Sequence, residues 1–264
     1  MNISRALSLF FALVVIMLVI GIAELYLLEL FDLPENGYQH GFGIISWITP
    51  FLGYGLIFYF SKFRPDLKMV PFKLNSLRPE TLLYILLIAI GLEFLDRPLY
   101  DFKRIWNFLS LGNAEPYYLP EADIFIIYTG VFAICLAPLF EELFFRKFLF
   151  GKLLSRYSTT TSILVSSLCF SLFHLPSFRN LLPTFIFGVI ACLLYKKTKN
   201  ILYTIILHVL VNFLWFTLQF WGGDFYNWIF ELQFNSIYWM LFLFGGGLTY
   251  FALQRIFRIG RKQP

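Results

Sequence analysis

Eight long apolar stretches, parted by short segments that gather the charged residues and much of the Pro and Gly, make up most of this 264-residue chain. They run near 7–28, 41–60, 79–95, 123–154, 158–175, 181–195, 200–221 and 236–254. Each is apolar on all sides rather than at every second position, which argues for buried or lipid-facing helices and against the alternating strands of a membrane β-barrel. Several reach the ~20 residues a helix needs to cross the hydrocarbon core. The pattern therefore predicts an all-α fold, a polytopic transmembrane helical bundle of about eight spans. The fourth stretch is too long for one simple crossing, and Pro138 inside it predicts a kink. The first stretch follows Arg5 as a signal peptide would, but it outruns an h-region of roughly 7–15 residues and has no clear small-residue cleavage site, so it is read as the first span. No internal repeat, linker or low-complexity segment divides the chain, and residues 1–264 are expected to form a single integral-membrane domain.

Composition sharpens this picture. The chain is 59% hydrophobic and 14% charged, with a mean hydropathy of +0.72, against about 25% charged residues in ordinary soluble domains. A soluble globule is excluded. Cys135, Cys169 and Cys192 stand alone in apolar runs without metal or disulfide spacing, as small buried hydrophobes do.

Lys and Arg orient the bundle, because basic loop residues remain on the cytoplasmic side. With the N-terminus inside, 17 of the 21 basic residues fall on inner segments, among them Lys62, Arg64, Lys68, Lys73, Arg78, Lys196, Lys197, Lys199, Arg258, Arg261 and Lys262. Only Arg97, Lys103, Arg104 and Arg179 fall outside, where Asp32, Glu35, Asp96, Asp101, Glu115, Glu121, Asp224 and Glu231 also lie. Both termini are expected to be cytoplasmic. The net charge of +5 thus reflects topology, and no soluble basic face invites nucleic acid.

Ionisable groups inside spans are costly and mark candidate functional sites. Here they are Glu24, Glu93, Glu141, Glu142, Arg146, His174 and His208, with Asn212 as a polar companion. Three pairs have helical spacing: Glu142 with Arg146, Phe170 with His174, and His208 with Asn212 are each four apart and share a helix face. Glu141 points about 100° away from Glu142, so the two carboxylates have different tasks. Counting up from Ser155, Ser158 and Asn200 at 1.5 Å per residue, Glu141, His174, His208 and Asn212 lie roughly 21, 24, 12 and 18 Å deep, close enough for one layer. Glu24 and Glu93, near outer span ends, are expected to pair or reach the interface. Gly245, Gly246 and Gly247 suit a close helix approach or a kink.

The ordered set E-E-x-x-x-R at Glu141, Glu142 and Arg146, F-x-x-x-H at Phe170 and His174, and H-x-x-x-N at His208 and Asn212 resembles the CPBP family, the CAAX proteases and bacteriocin-processing enzymes also called Abi proteins. The likeness covers about residues 120–220. It implies an intramembrane endopeptidase acting on membrane-associated peptides or proteins in a bacterial cell membrane. Glu141 would activate a water with help from His174, His208 and Asn212 would steady the oxyanion, and Glu142 with Arg146 would support the site beside Phe170. Burial in an apolar layer suits a carboxylate to act as a base near neutral pH, and donors in a low-dielectric site are each worth ~10²–10³ in rate.

Other readings stay open. Two Glu and two His can also ligate zinc, although H-E-x-x-H is absent, so the resemblance implies either a cofactor-free enzyme or a zinc-dependent version of it. A non-catalytic immunity or scaffold protein, and a transporter using these residues as a proton relay, are the alternatives from other classes.

Overall fold

The computed structural model describes residues 1–31, 34–61, 77–117 and 124–259. Lys62, Arg64, Lys68, Lys73, Arg261, Lys262, Asp32 and Glu121, used above for orientation, lie outside those residues. All eight apolar stretches are helical: α1 (Ile3–Leu30), α2 (Glu35–Phe60), α3 (Pro79–Leu95), then short α4 (Arg97–Tyr100) and α5 (Phe102–Leu111), long α6 (124–154), α7 (Thr159–Leu172), α8 (Leu181–Thr198), α9 (Ile201–Trp221), short α10 (Gly223–Glu231) and α11 (Ser236–Ile259). No strand occurs among the described residues. Six of these helices are long and apolar enough to cross a membrane. At 1.5 Å per residue α3 and α7 reach only about 26 and 21 Å, short of the ~30 Å hydrocarbon core. The chain is an integral, multi-pass membrane protein.

Local sequence explains where several helices begin. Pro79 opens α3 at a position whose N–H needs no helical partner. Ser158 caps α7 by accepting from the Thr161 N–H at 3.1 Å, and Asn200 caps α9 by accepting from Leu202 at 3.0 Å.

Glycine decides how closely two pairs of helices meet. A Cβ added at Gly245 would lie 2.5 Å from the Gly91 carbonyl oxygen, so α3 and α11 touch backbone to backbone. One at Gly188 would meet Ser167 at 3.0 Å, where α8 lies on α7. Such contacts replace hydrophobic collapse, which is no driving force where the surroundings are as apolar as the helix. Outward, α1 presents Phe11, Val15, Leu18, Val19 and Ile22 as an exposed apolar face.

The second half of α6 is the axis of the core, with Phe144, Phe145, Leu149, Phe150 and the whole Arg146 side chain buried. Around it pack Tyr54 of α2, Phe170 of α7, Phe187 of α8 and Leu207 of α9. The end of the bundle where α3 finishes and α6 starts is capped by α4, α5 and α10. There Asp101 accepts from Tyr117 at 2.5 Å and Tyr238 at 2.9 Å, and Arg104 pairs with it at 3.2 Å. Arg97 pairs with Glu93. Two of the four basic residues that break the charge asymmetry are therefore paired with acids of the fold rather than left as free loop charges.

Candidate active site

Proline shapes the first part of the site. Inside α6 the stretch Phe132–Leu136 is π-helical, and the Ala137 N–H donates to the Phe132 carbonyl. A π register would ask residue 138 to donate to the Ala133 carbonyl, and Pro138 has no N–H. The orphaned carbonyl is taken by Asn212 of α9, whose Nδ2 donates to it at 2.7 Å. The kink expected at Pro138 is thus a change of helical register that locks α9 onto α6. A second π-helical stretch, Glu142–Phe150, follows directly. Such irregularities concentrate at functional sites.

The two adjacent carboxylates face different surroundings. Glu142 is fully buried, and its Oε1 lies 3.1 Å from Arg146 Nη1 and 3.0 Å from His208 Nδ1, which donates to it. The Arg146 guanidinium makes no hydrogen bond; its charge is met by Glu142 and by the ring face of Phe170, whose centroid is 4.0 Å away. Glu141 instead lines a cavity of about 290 Å³ between α3, α6, α7, α8 and α9. Its Oε2 is buried, has no hydrogen-bond partner and lies 3.8 Å from His208 Nε2.

Both histidines line the cavity with one ring nitrogen held by a hydrogen bond. His208 gives Nδ1 to Glu142 and presents Nε2 towards Glu141. His174 lies beyond the end of α7, which stops at Leu172 instead of continuing to residue 175. Its Nδ1 donates to the Phe170 carbonyl at 2.9 Å, which leaves Nε2 as the acceptor of the neutral ring. Phe170 therefore does three things: it stacks on Arg146, orients His174 through its carbonyl, and packs its ring against His174 at 4.8 Å.

Glu141, His174, His208, Asn212 and Phe170 all line this one cavity, with Glu142 and Arg146 buried behind it. Phe187, not singled out in the sequence, packs at a tilt against His208 at 4.7 Å and faces Arg146 at 5.4 Å. Nothing distinguishes it among 34 phenylalanines. Tyr54 lies behind the carboxylate pair, stacked on Phe140 at 5.5 Å. Glu93 and Asp96 also line the cavity, whereas Glu24 is remote and accepts from Thr49. Among the described residues no three His, Cys, Asp or Glu side chains converge as a zinc ion requires, so the donors as placed do not fit a metal centre.

Comparison with known proteins agrees with the motif set. No curated protein matches the chain, and no solved structure does. Residues 123–214, the segment that holds every residue from Glu141 to Asn212 described above, match the family model of the type II CAAX prenyl endopeptidase Rce1-like proteins. The matched segment carries the three motifs in the family's order and brings them to one buried cavity, so over those residues the chain is similar to the CAAX-type membrane endopeptidases of the CPBP family.

Proposed function

We propose that this protein is an intramembrane endopeptidase in which Glu141 deprotonates a water that attacks the peptide bond of a membrane-associated peptide or protein. One observation carries the reading: a buried carboxylate oxygen of Glu141 has no hydrogen-bond partner and faces a cavity that it shares with two histidines. A base of this kind must reach a water within hydrogen-bonding distance. His174 Nε2, free to accept, orients that water while Glu141 takes its proton.

As the tetrahedral intermediate forms, negative charge develops on the former carbonyl oxygen. Asn212 holds one N–H on Ala133 and has a second to offer. His208 donates from Nε2 as imidazolium, because its other N–H is held by Glu142. The pair His208 and Asn212, one turn apart on α9, thus forms the oxyanion site. Glu141 returns its proton to the leaving amine as the C–N bond breaks. Glu142 and Arg146 do no bond chemistry; they hold His208 and α6 in register.

The reading extends to the whole chain as one membrane domain with both termini cytoplasmic, which the basic-residue asymmetry supports. Proteolysis by the purified protein in detergent, wild type against Glu141→Gln, tests it. Wild-type cleavage that the variant lacks supports a glutamate base; equal cleavage by both removes it.

A zinc-dependent version has one observation in its favour. A histidine whose Nδ1–H is held by a carboxylate, as His208 is by Glu142, is the arrangement in which metal-ligating imidazoles are oriented. The missing third donor weighs against it.

A further inference from the structure

The cavity is acidic well beyond its catalytic end. Its acidic lining side chains are Glu93, Asp96 and Glu141, and no lysine or arginine is among the described residues that form it. Lining positions on α3 and α4 recur at Ala89, Leu92, Glu93, Asp96 and Tyr100, a single helical stripe. On α6 they recur at Ala133, Ala137 and Glu141. α3 runs towards the capped end of the bundle and α6 runs away from it, so Asp96 lies on the capped-end side of this lining and Glu141 on its far side. Eight residues of α6 between Ala133 and Glu141 set its length on the order of 12 Å.

Asp96, unlike Glu93, makes no ion pair. It is 7% exposed, and its Oδ1 is buried without a hydrogen bond. The nearest cation, Arg97, is paired with Glu93 and lies over the Tyr226 ring at 5.2 Å. Arg179, exposed at the rim, donates to the Tyr100 carbonyl at 2.8 Å. A buried carboxylate without hydrogen bonds is costly to ionise, and a cation brought in by a ligand offsets that cost.

We propose that Asp96 forms a cation-binding subsite of this cavity, which takes a lysine side chain or another alkylammonium group of the substrate. The apolar wall of Ala89, Leu92 and Trp215 accommodates the methylene stem. The same charges disfavour a free carboxylate in the cavity. At ~3.3–3.6 Å per extended residue, a cavity of that length holds the cation within about three residues of the scissile bond. As a statement about substrates this rests on the proteolytic reading above; as a statement about binding it does not.

Two sets of probes test it on the full chain in detergent. The first is a series of quenched peptides of one apolar sequence, carrying a single Lys, norleucine or Glu walked through each position. At one position within about three residues of the cut, kcat/KM is expected to be at least tenfold higher for Lys than for norleucine, and lowest for Glu. In Asp96→Asn that ratio falls to about one. The second set, hexylammonium, hexanol and hexanoate, is read by thermal stabilisation. Hexylammonium alone should stabilise wild type and Glu141→Gln saturably, and should do so far less in Asp96→Asn. Equal response to the three compounds in wild type overturns the subsite without need of any variant. So does an ammonium response that Asp96→Asn keeps, or one that Glu141→Gln loses instead. If no peptide is cut while the ammonium response follows residue 96, proteolysis fails and the subsite stands. If cleavage depends on Glu141 but shows no Lys preference, the reverse holds.

Discussion

Asn212 donates its side-chain N–H to the Ala133 carbonyl at 2.7 Å, across 79 positions of sequence and between two helices. That bond exists because Pro138 has nothing to donate to Ala133. Pro138→Ala supplies the missing N–H and allows α6 to return to an α register, which competes with Asn212 and turns Glu141 out of place. We expect equal or higher thermal stability, since proline is the poorest helix former, together with at least a tenfold loss in kcat. Unchanged kcat would separate the π-helical stretch from catalysis.

The division of labour between Glu141 and Glu142 predicts two different failures. Glu141→Gln, nearly isosteric, should abolish turnover and leave the melting temperature close to wild type. Arg146→Ala leaves the buried Glu142 carboxylate without its cation, which costs about 3–5 kcal/mol, and should lower both activity and folded yield. Unfolding curves and turnover measured on the same preparations distinguish the two.

Metal dependence follows from the donor geometry. Protein treated exhaustively with several chelators, and shown to be metal-free by elemental analysis, is expected to retain its cleavage rate. Activity that vanishes on stripping and returns with one equivalent of zinc would make Glu141, His174 and His208 ligands.

Two nearby glycines should behave oppositely. Gly245→Ala drives a Cβ into the Gly91 carbonyl, whereas Gly247→Ala meets nothing within 4 Å. The first should destabilise by about 1–3 kcal/mol and the second should be neutral or stabilising by up to ~1 kcal/mol. Denaturant titrations of the two variants give the comparison directly, and equal effects would contradict the close approach of α3 and α11.

Topology reporters fused after Lys73 and after Asn113 should report opposite sides of the membrane, cytoplasmic for the first. A common location would remove α3 as a crossing and undo the orientation drawn from Lys and Arg.

The helices were legible because a membrane span announces itself by composition over twenty residues, a signal that survives errors at either end. The spacing of Glu142 with Arg146 and of His208 with Asn212 likewise marked shared faces, since four residues bring side chains together on any regular helix. Three features were not legible. The register change in α6 depends on where Asn212 sits, which no local pattern reveals. The end of α7 at Leu172 left His174 in a turn, although the apolar run continues past it. Phe187 and Asp96 acquire meaning only from the cavity they face, and an isolated phenylalanine or a loop aspartate carries no sign of that in sequence.

Glu142 Oε1 is approached by Arg146 from one turn along α6 and by His208 from α9. One atom is therefore a common joint of two helices, in addition to the bond from Asn212 to Ala133. Any sliding of α9 past α6 must release His208 from the same oxygen that answers the Arg146 charge, so the cost of misalignment rises on both sides at once. The imidazole that faces the cavity and the buried guanidinium of the core thus share one oxygen, and a substitution that withdraws it loosens both.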